Sequence, residues 1–384
     1  MNKIFKIVLL LCLSFLTIYK TSNASNEKIK IGLLIPLTGE DKLLGKLLVQ
    51  STQIALEDIG SDKVEIYPRD TASDPKKTLA SAIELKELGV QIVIGPIFYK
   101  NLVYLNELQS MTFLSLTNKT LNLPNNVIST GVNATSQLNT IKKFIEENEI
   151  KKTILLTPNI DYKIEIKKAL RESKIKIFKH YIYDTEPTKL TAQIEEITNY
   201  KIRKQNLADE IKRVEGSDLV DKEKQLEKLE KRYTIGNVNF DSVIISDFSE
   251  SLKSVITSLL YTDVSPEDKY IITFNQWFDE SLFKEKAIQP ISYPSISNKN
   301  LINFEKKFYK EFKEKPNHLS LLSYDLVGLI YFLSLNNEIT DLNKLFKKKN
   351  SFKGKIGIFD IKDNKIYHRL NYYQIKDGDL IEIF

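Results

Sequence analysis

The side chains most able to make or break bonds here are three histidines, one cysteine and scattered acids, and their spacing does not assemble a catalyst. His180, His318 and His368 lie far apart with no carboxylate at metal-ligand spacing, and Cys12 is the lone thiol of 384 residues. No Gly-x-Ser-x-Gly elbow occurs, and Pro36-Leu37-Thr38-Gly39 is too poor in glycine to cradle a phosphate. Glu195-Glu196 fall in a run of mixed charge that reads as a solvated helix face. The expectation is a protein that is not an enzyme and uses no cofactor and no metal. What remains suits recognition: Phe98, Tyr99, Lys100 and Asn101 in one loop, Ser115, Thr117, Asn118 and Thr120 in the next, then Asp161 with Tyr162, Asp247, and Trp277, the only tryptophan. Lys100 and the hydroxyls could meet a carboxylate, Asp247 could meet an ammonium group, and the aromatic rings could wall a pocket. Plainer roles stand beside these: Asp161 and Asp247 as caps of the helices that follow, Tyr162 and Lys100 as surface groups, Trp277 as core.

Such loops need a rigid frame. Residues 28–120 repeat an apolar strand, a turn rich in Gly, Pro, Asp or Thr, and an amphipathic helix three times. The strands Ile29-Lys30-Ile31-Gly32-Leu33-Leu34-Ile35 and Val90-Gln91-Ile92-Val93-Ile94 are nearly continuous in apolar character, as a parallel sheet buried on both faces demands. Helices are expected over 45–59 and from Asp74-Pro75, an N-cap followed by proline at the first helical position. The alternation restarts at 137–147, with strands at 152–156, 175–183, 240–245 and 270–274, so a second set of βαβ units predicts a second, similar lobe. In such sheets ligands bind beyond the carboxyl ends of the strands, where helix N-termini favour an anion, and the loops named above occupy those ends.

Lys3 and Lys6 precede an apolar run, and Ser22-Asn23-Ala24 offers a small-residue cleavage site, so residues 1–24 read as a secretory signal and the destination as the periplasm. Three lysines of that segment contribute to the net charge of +6, which leaves the mature chain close to neutral, with no basic patch for nucleic acid and no membrane span. Residues 194–232 are dense in Lys, Arg, Glu and Asp with apolar residues at helical spacing, and Gly216-Ser217 divides them; a charged helical hairpin is expected, either merely solvated or an arm for a partner. An amphipathic helix is expected over 300–313, a strongly apolar one over 319–335 and a short basic one near 342–349, then period-two strands around 356–361, 365–375 and 380–384.

Ile31-Gly32-Leu33-Leu34-Ile35-Pro36-Leu37-Thr38-Gly39 with Gly45, then Tyr67-Pro68-Arg69-Asp70-Thr71, Ile94-Gly95-Pro96-Ile97 and Ser323-Tyr324-Asp325-Leu326-Val327-Gly328, resemble the type I periplasmic binding proteins of the leucine/isoleucine/valine-binding class. The resemblance implies an α/β fold of two Rossmann-like lobes joined by a three-strand hinge that closes on a ligand. Lobe 1 is expected at 28–133 with 296–338, and lobe 2 at 134–295 with 339–384. Gly95-Pro96-Ile97-Phe98, the charged insertion and Phe352-Lys353-Gly354-Lys355-Ile356-Gly357-Ile358-Phe359 are similar to the penicillin-binding-protein activators, which share the lobes but regulate cell-wall synthases. Those are commonly lipoproteins, whereas Cys12 sits poorly for lipid attachment. Amino-acid binders of the class use small hydroxyls in the two loops now holding Phe98, Tyr99 and Lys100 and Ser115, Thr117 and Asn118, and a second-lobe tyrosine where Tyr162 stands. The class implies capture of an amino-acid-like solute for an ABC permease; the activator branch implies a cell-wall synthase as partner.

Overall fold

The computed structural model describes residues 28–335, 346, 349–362 and 364–384. The expected secretory signal and most of the short basic helix lie outside the described residues. The chain opens with β1 (Ile29–Ile35), α1 (Lys42–Ile59), β2 (Val64–Asp70), α2 (Pro75–Glu87) and β3 (Ile92–Ile94), followed by β4 (Thr112–Ser115) and β5 (Val127–Ser129). The βαβ repeat sets this pattern because the inner strands are buried on both faces: in β1, Ile31, Leu33 and Ile35 enter the core on one side of the sheet, and Leu34 enters the core on the other. Asp74 caps α2 by accepting from the Lys77 N–H at 2.8 Å, and Gly60 ends α1 in the left-handed region. Two glycines are dictated by close approach. A Cβ on Gly45 would lie 1.8 Å from the Pro36 carbonyl oxygen, and one on Gly95, at φ +105, would lie 2.2 Å from that of Leu34.

The chain then crosses to a second sheet through α3 (Ala134–Glu147), β6 (Thr153–Pro158), α4 (Lys163–Ser173), β7 (Lys179–Tyr183), α5 (Pro187–Ile197), α6 (Tyr200–Glu215) and α7 (Lys222–Glu230). It continues through β8 (Ser242–Ile245), α8 (Ser249–Tyr261), β9 (Tyr270–Thr273), α9 (Glu280–Lys284) and β10 (Ile291–Ser295), and returns through α10 (Asn298–Phe312) and α11 (His318–Ser334). The last strands are β11 (Asn350–Lys353), β12 (Ile358–Lys362), β13 (Lys365–Arg369), β14 (Asn371–Lys376) and β15 (Asp379–Glu382). One sheet has the order β11-β12-β13-β5-β4-β3-β1-β2 and the other β15-β14-β10-β9-β8-β6-β7. Both are parallel at their centres and carry antiparallel strands at one edge. Three connections join the lobes: 129–134, 295–298 and 369–371.

Two expectations about boundaries are corrected. Residues 339–384 do not all go to the second lobe, because β11, β12 and β13 extend the first sheet and only β14 and β15 join the second. The period-two run 365–375 looks like one strand yet changes sheets at Leu370; alternation reports which faces are covered, not by which sheet. The charged hairpin also begins later than 194: Ile194 is fully buried on α5, in the second lobe's own core, and the antiparallel pair is α6 with α7.

Candidate functional site

Between the lobes lies a cavity of about 300 Å³ lined from both sides. Lobe 1 contributes the loop after β3 (Ile97, Phe98, Tyr99), the loop after β4 (Leu116, Thr117, Asn118, Lys119) and the start of α11 (His318, Leu319, Leu322). Lobe 2 contributes Gln137, Phe248, Asn275 and Trp277. The volume is at the lower end of what encloses a small organic molecule. No Asp or Glu is among the lining residues, and the one lysine there, Lys119, lies over the Tyr99 ring at 4.7 Å. Asn275 is 2 % exposed with its side-chain N–H₂ unpartnered, while its backbone N–H donates to Gln137 Oε1 at 2.7 Å. The cavity thus offers aromatic and aliphatic walls, an amide donor and a cation, but no anion for an ammonium group.

The structure gathers Phe98, Tyr99, Thr117, Asn118 and Trp277 on this cavity, and places the other sequence candidates elsewhere. Lys100 is exposed, with its ammonium 5.8 Å from the Phe98 ring. Ser115 is fully buried and donates to the Pro96 carbonyl at 2.7 Å, which ties the two loops together. Tyr162 has its hydroxyl buried without a partner, and burial pushes the phenol well up from its ordinary range. Asp247 is buried and already committed, accepting from the Tyr183 and Ser251 hydroxyls and from the Phe248 N–H at 2.8 Å. Its role is to hold the start of α8. Among the described residues, no group of three or more His, Cys, Asp or Glu is placed to hold a metal ion.

Contacts that span the cleft join two of the sequence candidates, Trp277 and Thr120, to residues that spacing did not single out as ligand groups. His318, at the first position of α11, stacks on Trp277 from the other lobe at 4.1 Å between centroids, and burial lowers its pKa to about 4. Such a stack contributes about 0.5–1.5 kcal/mol beyond burial. Glu165 on α4 is 6 % exposed and accepts from the Thr120 N–H at 3.0 Å, the Thr120 hydroxyl at 2.9 Å and the Leu121 N–H at 2.9 Å. Lys168, one turn on, donates to the Thr120 hydroxyl at 2.7 Å. A second carboxylate fills the loop after β1. Asp70 accepts from the N–H groups of Leu37 at 2.8 Å, Thr38 at 3.2 Å and Ala72 at 2.8 Å, and from the Thr38 hydroxyl at 2.6 Å. Burial opposes the Asp70 charge, but these hydrogen bonds outweigh it and hold the carboxyl below its usual range. Glu165, Lys168 and Glu172 recur at helical spacing and so could have been read as one stripe; nothing in the sequence around His318 or Gln137 marks them.

Two mixed sheets with parallel centres, helices on both faces and three connections at the hinge define the type I periplasmic binding protein fold. Residues 28–201 match the family model described as periplasmic binding protein. Among solved structures, a branched-chain amino acid ABC transporter protein from Rhodospirillum rubrum, described as putative, superposes with TM-score 0.69 at 13% identity, over 93% of this chain and 100% of that one. The C-domain of LpoA from Haemophilus influenzae, described as a regulator of PBP1A, matches with TM-score 0.61 at 15% identity, over 92% of this chain and all of its own. LivJ from Streptococcus pneumoniae, solved with isoleucine, matches with TM-score 0.56 at 17% identity, over 93% and 100%. At these identities the likeness is one of fold. No curated protein sequence matches the chain at a significant level.

Proposed function

We propose that this chain is a non-catalytic, extracytoplasmic two-lobe protein that acts by docking a cell-wall synthase, as the penicillin-binding-protein activators do, and does not carry a free amino acid. The observation that carries this reading is the chemistry of the cleft: its lining has no carboxylate for an ammonium group, and the lobe-1 donors suited to a ligand carboxylate are filled by Asp70 and Glu165. A zwitterion placed there would bury an unpaired ammonium, a cost of several kcal/mol. The α6–α7 pair supplies a surface for the partner, because Val220 is fully exposed and Leu219 is 41% exposed at the turn between the helices.

The test is co-purification with the bifunctional cell-wall synthases of the same organism. The wild-type chain retains one of them, and the double substitution Leu219→Asp with Val220→Asp loses it while the melting temperature stays unchanged. Retention by the double variant, or no capture by wild type, contradicts the docking reading. A second reading, solute uptake with an ABC permease, is favoured by the open volume itself and by the unpartnered Asn275 amide. Its solute would be a compact, largely apolar molecule without an ammonium group.

A further inference from the structure

Helix α4 presents Glu165, Lys168 and Glu172 at positions i, i+3 and i+7, which is one stripe of its surface, and that stripe faces lobe 1 along its length. At the N-terminal end the Glu165 carboxylate takes three hydrogen bonds from Thr120 and Leu121 of the other lobe. In the middle the Lys168 ammonium donates to the carbonyl of Thr120 at 3.0 Å as well as to its hydroxyl, with its side chain 13% exposed. At the far end Glu172, held within lobe 2 by the Thr135 hydroxyl of α3 at 2.8 Å, pairs across the cleft with Lys365, on β13 of lobe 1, at 3.3 Å. Glu172 keeps partners within its own lobe, Thr135 and, at 3.8 Å, Lys168, but all three hydrogen bonds described for Glu165, both from Lys168 to Thr120, and the Glu172–Lys365 pair form only when the lobes are together.

From this we infer that α4 is a built-in clasp which holds the two lobes closed without any bound solute. In a hinge protein that closes on a ligand, the bridging charge arrives from solution, and the shut state is populated only in proportion to its concentration. Here the bridging carboxylate belongs to lobe 2 itself, so its effective concentration at the Thr120–Leu121 donors is fixed and high. Charge-assisted hydrogen bonds from two backbone N–H groups and a hydroxyl, sheltered from water, are about twice as strong as neutral ones. Lys168 and the Glu172–Lys365 pair keep the helix in register with the loop and with β13.

The experiment measures the distance between spin labels on the two lobes, with no solute added. Cysteines are introduced by Val103→Cys and Ile160→Cys, at exposed positions in the segments that follow β3 of lobe 1 and β6 of lobe 2, in a chain carrying Cys12→Ser. The expected result is one narrow short-distance population, and a second, longer one that appears in Glu165→Ala and in Thr120→Val. Should Glu165→Ala not fold, Thr120→Val and Lys168→Met decide the matter, since each removes a single group at a part-exposed position. A parent that already samples the long distances overturns the clasp, as do variants whose distributions coincide with the parent's. The inference is independent of the partner: failed capture of a synthase with the short distance intact would remove only the docking reading.

Discussion

Asp70 is the residue on which the first-lobe loops depend. Its carboxylate gathers three backbone N–H groups and a hydroxyl from the loops after β1 and β2. We predict that Asp70→Ala lowers the free energy of unfolding in urea by about 1–2 kcal/mol, the cost of leaving part-exposed donors to water. The sequence pointed to the right loops, because topology alone puts them at the strand ends. It did not separate residues that face the cleft from residues that hold it together. Ser115, Tyr162 and Asp247 have the same side-chain types as ligand-binding groups, yet each faces inward, and only the packing of neighbouring elements decides which way a side chain on a short loop points. Glu165 shows the converse: a charged residue in a charged helix became a buried interlobe acceptor through its placement opposite Thr120.

At the scale of elements, the α6–α7 pair is fastened to lobe 2 through buried residues of α6, Tyr200, Leu207 and Val214 among them, and through the hydrogen bonds of Arg203. Its guanidinium donates to the carbonyls of Gly236 at 3.0 Å, Thr262 at 2.9 Å and Asp263 at 3.2 Å, and to the Thr234 hydroxyl at 2.8 Å. Its side chain is 8% exposed, so truncation strands buried acceptors. Arg203→Ala is expected to cost about 2–4 kcal/mol in denaturant unfolding and to render α6 and α7 susceptible to limited proteolysis before the lobes are cut. The central strands and crossover helices were readable because propensity, periodicity and caps agree there. The late strands were readable as strands but not as members of a sheet: β13 and β14 form one continuous alternating run in sequence, and a lobe crossing at Leu370 leaves that pattern intact.

For the whole molecule, acid should loosen the fold and the cleft together. His318 and His368 both have pKa values lowered to about 4 by burial, His368 while hydrogen-bonded to the Thr130 carbonyl at 2.8 Å. The unfolded chain takes up protons at these sites near pH 6.5 while the folded chain does not, so their contribution is complete above about pH 6.5 and is lost as pH falls toward 4. Asp325 acts in the opposite sense. Burial raises its carboxyl to about 6 despite hydrogen bonds from the Lys355 and Ile356 N–H groups at 2.7 Å, so its protonation in the folded state offsets part of the loss between about pH 6 and 4. With two histidines against one aspartate, the melting temperature should fall between pH 7 and 4.5, and His318→Phe should flatten that fall. An unchanged slope in His318→Phe would contradict the placement of His318 between the lobes.

The most direct test of the account is thermal unfolding of the purified chain against a full panel of free amino acids and peptidoglycan fragments. A solute present at about 100 times its dissociation constant adds about 2.7 kcal/mol to stability, a shift readily seen. The cleft chemistry predicts that no free amino acid moves the transition. A reproducible upward shift with any one of them would show that the cleft accommodates a zwitterion, and would overturn the central claim.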